Sequence, residues 1–468
     1  MNLRHLDPVI DKDNPFLNCK LDRKKYSDVL TQIVKTYGDG FVMAINNKWG
    51  TGKTTFIKMW EATLVQESYQ TVYFNAWEND FEDNPLTAIM GELRTLINQD
   101  NKDDFKVLLD KGAVLAKSIL PMLIKSFVAK HLDMKELSEY AEKATEGLTN
   151  IFEQDVKLYT QKKESIKKFR EELEQFILKS NHGKPLVFII DELDRCRPNY
   201  SVSILEQIKH FFSVKGIVFV LSIDKEQLGN AVRGVYGNDR IDAEEYLRRF
   251  IDIEYIIPKP TQIQFVKYLY NYYEFSAFFR SSDRMNSYET QNDEEIFINT
   301  SAFLFEQYNI SLRQQEKIFA HARISLRTFS NRSYVFPHLF VILLYFKSIQ
   351  NDLYQKIADN SLSIEELQIE LVSLFKINNM DNDNLRQLTI IESYLVFFYN
   401  NSLKTYYNPM KIYEPTGGGD KKWFITSKVD KGQQDFRQFI ESFERGHNSR
   451  IDLKYLIQKI ELLDNVVI

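Results

Sequence analysis

The residues Asn47-Lys48-Trp49-Gly50-Thr51-Gly52-Lys53-Thr54-Thr55 come just after the apolar run Phe41 to Ile45. A strand that ends in a glycine-rich turn and restarts as a helix aims several backbone N–H groups at one point. The positive end of the helix faces the same point, and the result is a cradle for phosphate. Lys53 has the reach for β and γ phosphates, and Thr54 has the hydroxyl for Mg²⁺. The usual spelling is G-x-x-x-x-G-K-[ST], and here Asn47 replaces the first glycine. Asparagine tolerates left-handed backbone angles better than other non-glycine residues, so the turn remains accessible.

A second group of chemically capable residues follows the apolar run Leu186 to Ile190, namely Asp191-Glu192-Leu193-Asp194-Arg195. A carboxylate at a strand's carboxyl end can hold the hydrated Mg²⁺ that Thr54 also touches. A second one beside it can orient and deprotonate water. Asp191 is thereby the expected metal residue and Glu192 the expected general base. The plainer reading, acids that mark where a strand meets solvent, loses weight once a phosphate cradle lies upstream. A built-in base for water favours hydrolysis over transfer to another acceptor.

Three further positions are weaker. Asp224 ends the run Ile217 to Ile223, where it either senses the γ-phosphate or caps the helix that contains Glu226, Gln227 and Leu228. Arg248 and Arg249 precede the fifth apolar run, so one of them can serve a neighbouring subunit's nucleotide, against the alternative of a salt bridge with Glu244 or Glu245. Arg313 opens a helical run and is read either as a γ-phosphate contact or as an interdomain pair.

The elements that must position these residues are legible as five runs: Phe41 to Ile45, Thr71 to Phe74, Leu186 to Ile190, Ile217 to Ile223 and Ile251 to Ile257. The first four are almost continuously apolar, as strands covered on both faces are. Asp252 and Glu254 make the fifth alternate like an edge strand. The stretches between them have helical spacing. Ile166, Phe169, Leu173, Phe176 and Ile177, for instance, form one stripe on a charged rod. Alternating strands and helices imply a parallel α/β sheet with ligands beyond the strands' carboxyl ends. The spacing predicts core segments over 1–79 and 181–260, a helical insertion over 80–180, a helical lid over 261–340 and a mostly helical remainder over 341–468. The polar stretch Ser281 to Glu295 reads as an exposed loop, and Pro415 to Asp420 as a hinge or hairpin turn.

Composition narrows the function classes. The chain has 468 residues, 44% hydrophobic and 27% charged, with a formal net charge of −5, so no global basic field collects nucleic acid. Two cysteines and seven scattered histidines give neither a disulfide framework nor a zinc set. The amino terminus has no apolar leader segment, and the one membrane candidate, Ala113 to Ala129, is broken by Lys117 and Lys125. A cytoplasmic protein with no stable membrane insertion is expected.

Three stretches together resemble the KAP family of P-loop NTPases, close to the AAA+ and STAND proteins. They are Lys48 to Thr55, Tyr73-Phe74-Asn75-Ala76-Trp77, and Asp191 to Pro198. The resemblance covers roughly 22–336. It implies a parallel sheet of about five strands in the order 5-1-4-3-2, with a long helical insertion and a helical carboxy-terminal region. It also implies that Lys53 and Thr54 bind phosphate and Mg²⁺, that Asp191 binds Mg²⁺ and that Glu192 activates water, with the loop Asn47 to Thr55 around ATP. Asp194 and Arg195 adjoin as parts of an extended acidic motif, and the Leu312-Arg313 segment looks like a second sensor. The segment Asp22-Arg23-Lys24-Lys25-Tyr26 is implied near the adenine, against the alternative of a plain helix start with Asp22 as N-cap. By resemblance, the expectation is a Mg-dependent ATP-hydrolysing switch, acting as a homo-oligomer or on a protein effector in signalling or phage exclusion. Two alternatives are an ATP-holding scaffold without turnover and a nucleic-acid-dependent ATPase using Lys125, Lys130, Lys162, Lys163, Lys167 and Lys168, the latter disfavoured by net charge.

Overall fold

The computed structural model describes residues 8–118, 148–180, 183–237, 241–308, 310–404, 411–416, 420–445 and 451–462. The chain divides between Lys259 and Pro260 into two compact units, at the Pro258-Lys259-Pro260 step where strand signals stop.

The amino-terminal unit is built on β1 (Phe41–Asn46), β2 (Thr71–Asn75), β3 (Leu186–Asp191), β4 (Ile217–Ile223) and β5 (Ile253–Tyr255). All five pair in parallel in the order β2-β3-β4-β1-β5, which is the expected order read from the other edge. Parallel neighbours need long crossovers, and helices supply them. They are α1 (Lys24–Tyr37), ahead of the sheet, then α2 (Lys53–Gln66), α3 (Pro85–Leu93), α4 (Lys102–Ser118), α5 (Leu148–Ser180), α6 (Pro198–Gln207), α7 (Lys225–Tyr236) and α8 (Ala243–Leu247).

Every position of β3 and β4 is buried, as unbroken apolar runs require. β2 departs from the expectation of two covered faces: only Val72 and Phe74 are buried, because this strand is an edge of the sheet. The half-buried Tyr73 and Asn75 are thereby left at the site described below. β5 is the opposite edge, shorter than its apolar run, and Asp252 just before it accepts the Val42 N–H at 2.8 Å.

The sheet separates two cores. On one side, Leu30 and Val34 of α1 and Phe56, Ile57 and Trp60 of α2 pack on Met43, Ile45, Ile189 and Val220. On the other, Phe74, Phe188, Ile190 and Phe219 meet Leu86 and Ile89 of α3, Phe105 of α4 and Phe169, Leu173 and Phe176 of α5. Each such ring or branched chain contributes about 1.5–3 kcal/mol by leaving water. The outer side of α5 pairs internally, Lys167 with Glu171 at 3.7 Å and Lys168 with Glu164 at 4.0 Å, as a solvated face does.

Among the described residues the carboxy-terminal unit is helical apart from one hairpin, in which β6 (Tyr413–Pro415) runs antiparallel to β7 (Lys421–Trp423). The hairpin flanks the expected turn, whose residues 417–419 lie outside the described residues. Capping boxes at Thr261, Ser311 and Ser363 start three helices. The helix α9 (Pro337–Ile349) is buried continuously from Pro337 to Phe346.

The stretch Ser281 to Glu295 is not an exposed loop. It contains a short helix (Ser282–Met285) and the start of the helix Asp293–Gln307. Arg284 is fully buried, ion-paired with Asp293, 4.6 Å from the Phe278 ring centre, and donates to the Ser333 carbonyl at 2.7 Å. Arg284 and Asp293 pair with each other out of water, so polarity alone misread this part of the segment.

No helix among the described residues is long and apolar enough to cross a membrane. Residues 119–129 of the membrane candidate, with Lys125, and also Lys130, lie outside the described residues.

Candidate active site

The loop between β1 and α2 has left-handed glycines at Gly50 (φ 74°) and Gly52 (φ 76°), and Gly52 opens α2 without a side-chain cap. The first-turn N–H groups of α2 therefore face no capping acceptor, which suits an anion. Thr51 Oγ1 donates to the Lys48 carbonyl at 2.8 Å and tightens the turn.

Asn47 does not take the left-handed conformation that its residue type suggests. Its side chain does the work instead. Nδ2 donates to the Ile257 carbonyl at 2.9 Å, and Oδ1 accepts the Ile257 N–H at 2.9 Å. The buried amide thus mimics one more residue of strand pairing between β1 and the chain after β5.

Within the segment Asp22 to Tyr26, Arg23 has a place that sequence reasoning did not assign. Buried at the start of α1, it donates from Nη2 to the Thr51 carbonyl at 2.9 Å and from Nη1 to the Gly52 carbonyl at 3.1 Å. A guanidinium thus braces the back of the glycine loop.

Lys53 is buried, and its Nζ donates to the Asn47 carbonyl. Burial lowers its pKa, while the charges of Asp194, Asp224 and Asp191 oppose that shift. The charges that act on this ammonium group come from the ends of two strands, Asp191 and Asp194 from β3 and Asp224 from β4. Trp49 ties the loop to the acids directly, since its Nε1 donates to Asp194 Oδ2. Burial raises the Asp194 pKa, opposed by the Trp49 hydrogen bond and by Lys53.

Asp191 is almost fully buried; its Oδ2 accepts from Tyr73 Oη at 2.9 Å and its Oδ1 from the Glu192 N–H at 2.9 Å. Beside it in register lies Ser222 of β4, whose buried Oγ has no hydrogen-bond partner among the described residues. Glu192 sits at φ 60°, a left-handed position where glycine is usual. Burial raises its pKa; Arg195 and a hydrogen bond from Asn75 pull it down, while Asp191 and Asp194 push it up. Asn75 pairs in register with Asp191, and its Oδ1 accepts the Trp77 N–H at 3.2 Å.

Asp191 and the orphaned Ser222 hydroxyl beside it are hard oxygens of the kind Mg²⁺ takes together with substrate phosphates. Among the described residues there is no group of three or more His, Cys, Asp or Glu able to hold a metal alone.

The remaining expected residues fall in several places. Asp224 is buried and caps α7 through the Gln227 N–H at 3.4 Å, which is the capping reading of it, and its charge also acts on Lys53. Lys48 is exposed and pairs with Glu226 at 3.9 Å; Thr54 and Thr55 are half-buried in the first turn of α2. Arg248 and Arg249 are exposed at the end of α8, with Arg248 held by Glu244 and Glu245, each at 3.2 Å. Arg313 is the second residue of a helix in the carboxy-terminal unit (Leu312–Leu326). Tyr73 entered the sequence reading only as part of the Tyr73 to Trp77 motif and Ser222 only as part of the polar end of the fourth strand; their places beside Asp191 come from strand pairing and a hydrogen bond that spacing does not encode.

A parallel sheet in this order, with a glycine loop after β1 and acids after β3, defines a P-loop nucleoside-triphosphatase fold. The KAP family P-loop domain matches residues 23–314, more than half of the chain, and the chain belongs to that family. No curated protein matches the sequence. Among solved structures, the ORC2 protein of Aeropyrum pernix (ADPNP-ADP complexes) is similar at 13% identity, over 90% of this chain and 94% of that one. Its TM-score of 0.31 is too low to bear on function.

Proposed function

We propose that this protein is a Mg-dependent ATPase that uses binding and hydrolysis of ATP to switch its assembly or an effector. Membership of the KAP family supports nucleotide binding and hydrolysis in general. The observation that carries the finer reading is the direct tie between the glycine loop and the acid turn, in which the Trp49 ring N–H donates to Asp194 while β1 and β3 flank β4 and end on the same side of the sheet.

In this reading, the N–H groups of Gly50 to Thr55 and the Lys53 ammonium bind the β and γ phosphates. Thr54 and Asp191 hold Mg²⁺, which neutralises phosphate charge when bound. Glu192 orients the attacking water and takes its proton, its raised pKa making it a better base than an exposed carboxylate. Asp224 and Ser222 lie at the end of β4, where they sense the γ-phosphate. Arg313 and the helices of 261–340 respond as a lid, and Arg248 or Arg249 serves a neighbouring copy.

A cytoplasmic role in signalling or phage exclusion is the biological setting we favour, by family. A nucleic-acid-driven enzyme fits less well: the net charge is −5, and Lys167 and Lys168 are engaged by glutamates on their own helix.

The test is phosphate release by the full chain with Mg²⁺ and ATP, comparing wild type with Glu192→Gln and Lys53→Ala. Glu192→Gln is expected to bind ATP and lose turnover by on the order of 10² or more, while Lys53→Ala loses binding. Wild-type turnover in Glu192→Gln removes Glu192 from the base role. Binding without turnover in the wild type establishes the scaffold reading instead.

A further inference from the structure

Glu192 carries its carboxylate on a flexible stem, yet a base must hold an oxygen within roughly 3 Å of the proton it takes. Arg195 lies three residues on, in the same turn, with Nη1 2.7 Å from Glu192 Oε1. An ion pair near solvent leaves both partners loose unless something else restrains them. Here the guanidinium lies near two indoles. Its Cζ is 6.0 Å from the Trp49 ring centre and 5.5 Å from that of Trp77. Aromatic faces attract a planar cation and fix its orientation.

The two indoles come from different loops. Trp49 belongs to the glycine loop, and its ring N–H donates to Asp194, next to Arg195. Trp77 follows β2, and its backbone N–H is bound by the side chain of Asn75, which pairs in register with Asp191 beside Glu192. The rings are 44% and 52% exposed, too open for core packing to account for them.

We propose that Arg195 is a positioning residue: held by Trp49 and Trp77, it sets the Glu192 carboxylate for water and makes that setting depend on the conformation of the glycine loop. The proposal rests on the ATPase reading above. It separates three jobs: Lys53 and the loop bind phosphate, Glu192 moves the proton, and Arg195 with its two rings determines whether Glu192 is in place.

The experiment is steady-state phosphate release by the full chain, with ATP affinity from calorimetry and folding checked by circular dichroism. The variants are Arg195→Ala, Arg195→Lys, Trp77→Leu, the double variant Arg195→Ala/Trp77→Leu, and Glu192→Gln. Arg195→Ala is expected to lower kcat by roughly ten- to a hundredfold, with KM and affinity within about twofold. Arg195→Lys keeps the charge but not the plane, and recovers only part of kcat. Trp77→Leu lowers kcat severalfold alone and adds nothing in the Arg195→Ala background, because the ring acts through the arginine. An unchanged or raised kcat in Arg195→Ala, additive losses in the double variant, or full activity in Arg195→Lys overturns the proposal. Should Arg195→Ala fail to fold, Arg195→Lys and Trp77→Leu decide it by the same criteria. Inactive Glu192→Gln beside fully active Arg195→Ala removes the positioning role alone; fully active Glu192→Gln removes the base role and the positioning role together, and absence of turnover in the wild type removes the ATPase reading itself.

Discussion

Asn47 and Arg23 show how much of a phosphate loop is held from behind. Restoring the usual glycine at Asn47 looks like a repair, yet it deletes both hydrogen bonds to Ile257 and leaves that buried peptide unsatisfied. Asn47→Gly is therefore expected to destabilise the protein by about 1–3 kcal/mol, read as a lower midpoint in urea. Arg23→Ala strips the donors from the Thr51 and Gly52 carbonyls without touching a phosphate-facing group. Hydrogen bonds to a charged group are worth about 1.5–3 kcal/mol, so a loosened loop should bind ATP on the order of tenfold more weakly in calorimetry. Unchanged affinity would show that the glycines hold their own shape. At this scale local spacing was enough to single out Lys53, Thr54, Asp191 and Glu192 as candidates, because they sit beside glycines or at the end of an apolar run. The bracing roles of Arg23 and Asn47 depend on contacts 28 to 210 residues away, which spacing does not encode.

Among the elements, strand identity and order were legible because a buried parallel strand needs an uninterrupted apolar run, as β3 and β4 show. Edge status was harder to read: β2 has the composition of a covered strand but only two buried positions. The stretch Ser281 to Glu295 failed for the opposite reason, since Arg284 and Asp293 neutralise each other out of water. α9 carries a further consequence of burial. His338 stacks on Tyr394 at 5.3 Å, its Nδ1 has no hydrogen-bond partner among the described residues, and burial lowers its pKa to about 4. The unfolded chain, with a histidine pKa near 6.5, binds the proton first as pH falls. Stability from this residue is therefore present above about pH 6.5 and is lost progressively down to about pH 4. The loss amounts to roughly 2.5 kcal/mol by pH 4.5. His338→Leu removes the titration, so the gap between its urea midpoints at pH 7.5 and pH 4.5 should be smaller than the wild type's. Equal gaps would mean that His338 is protonated in the fold.

For the molecule as a whole, the open question is whether one copy completes its own site. Arg248 already satisfies Glu244 and Glu245, and both bonds would have to break before it reached a neighbour's phosphate. Arg249 is exposed beside it, and no ion pair engages it among the described residues. If copies assemble around ATP, Arg249 is the readier of the two to act in trans. Turnover per chain should then rise with protein concentration over the range in which sedimentation detects assembly. Arg249→Ala should assemble normally, keep its melting temperature and lose turnover by on the order of 10³, the scale of an arginine supplied to a transition state. Arg248→Ala should lose much less. Mixing Arg249→Ala with inactive Glu192→Gln distinguishes a trans contact from a local one. In mixed assemblies the Glu192→Gln copies offer an intact arginine to sites that retain Glu192, so activity reappears. If the mixture stays inactive although both variants co-assemble, Arg249 serves its own chain or none, and the site at the ends of β1, β3 and β4 works without a neighbour.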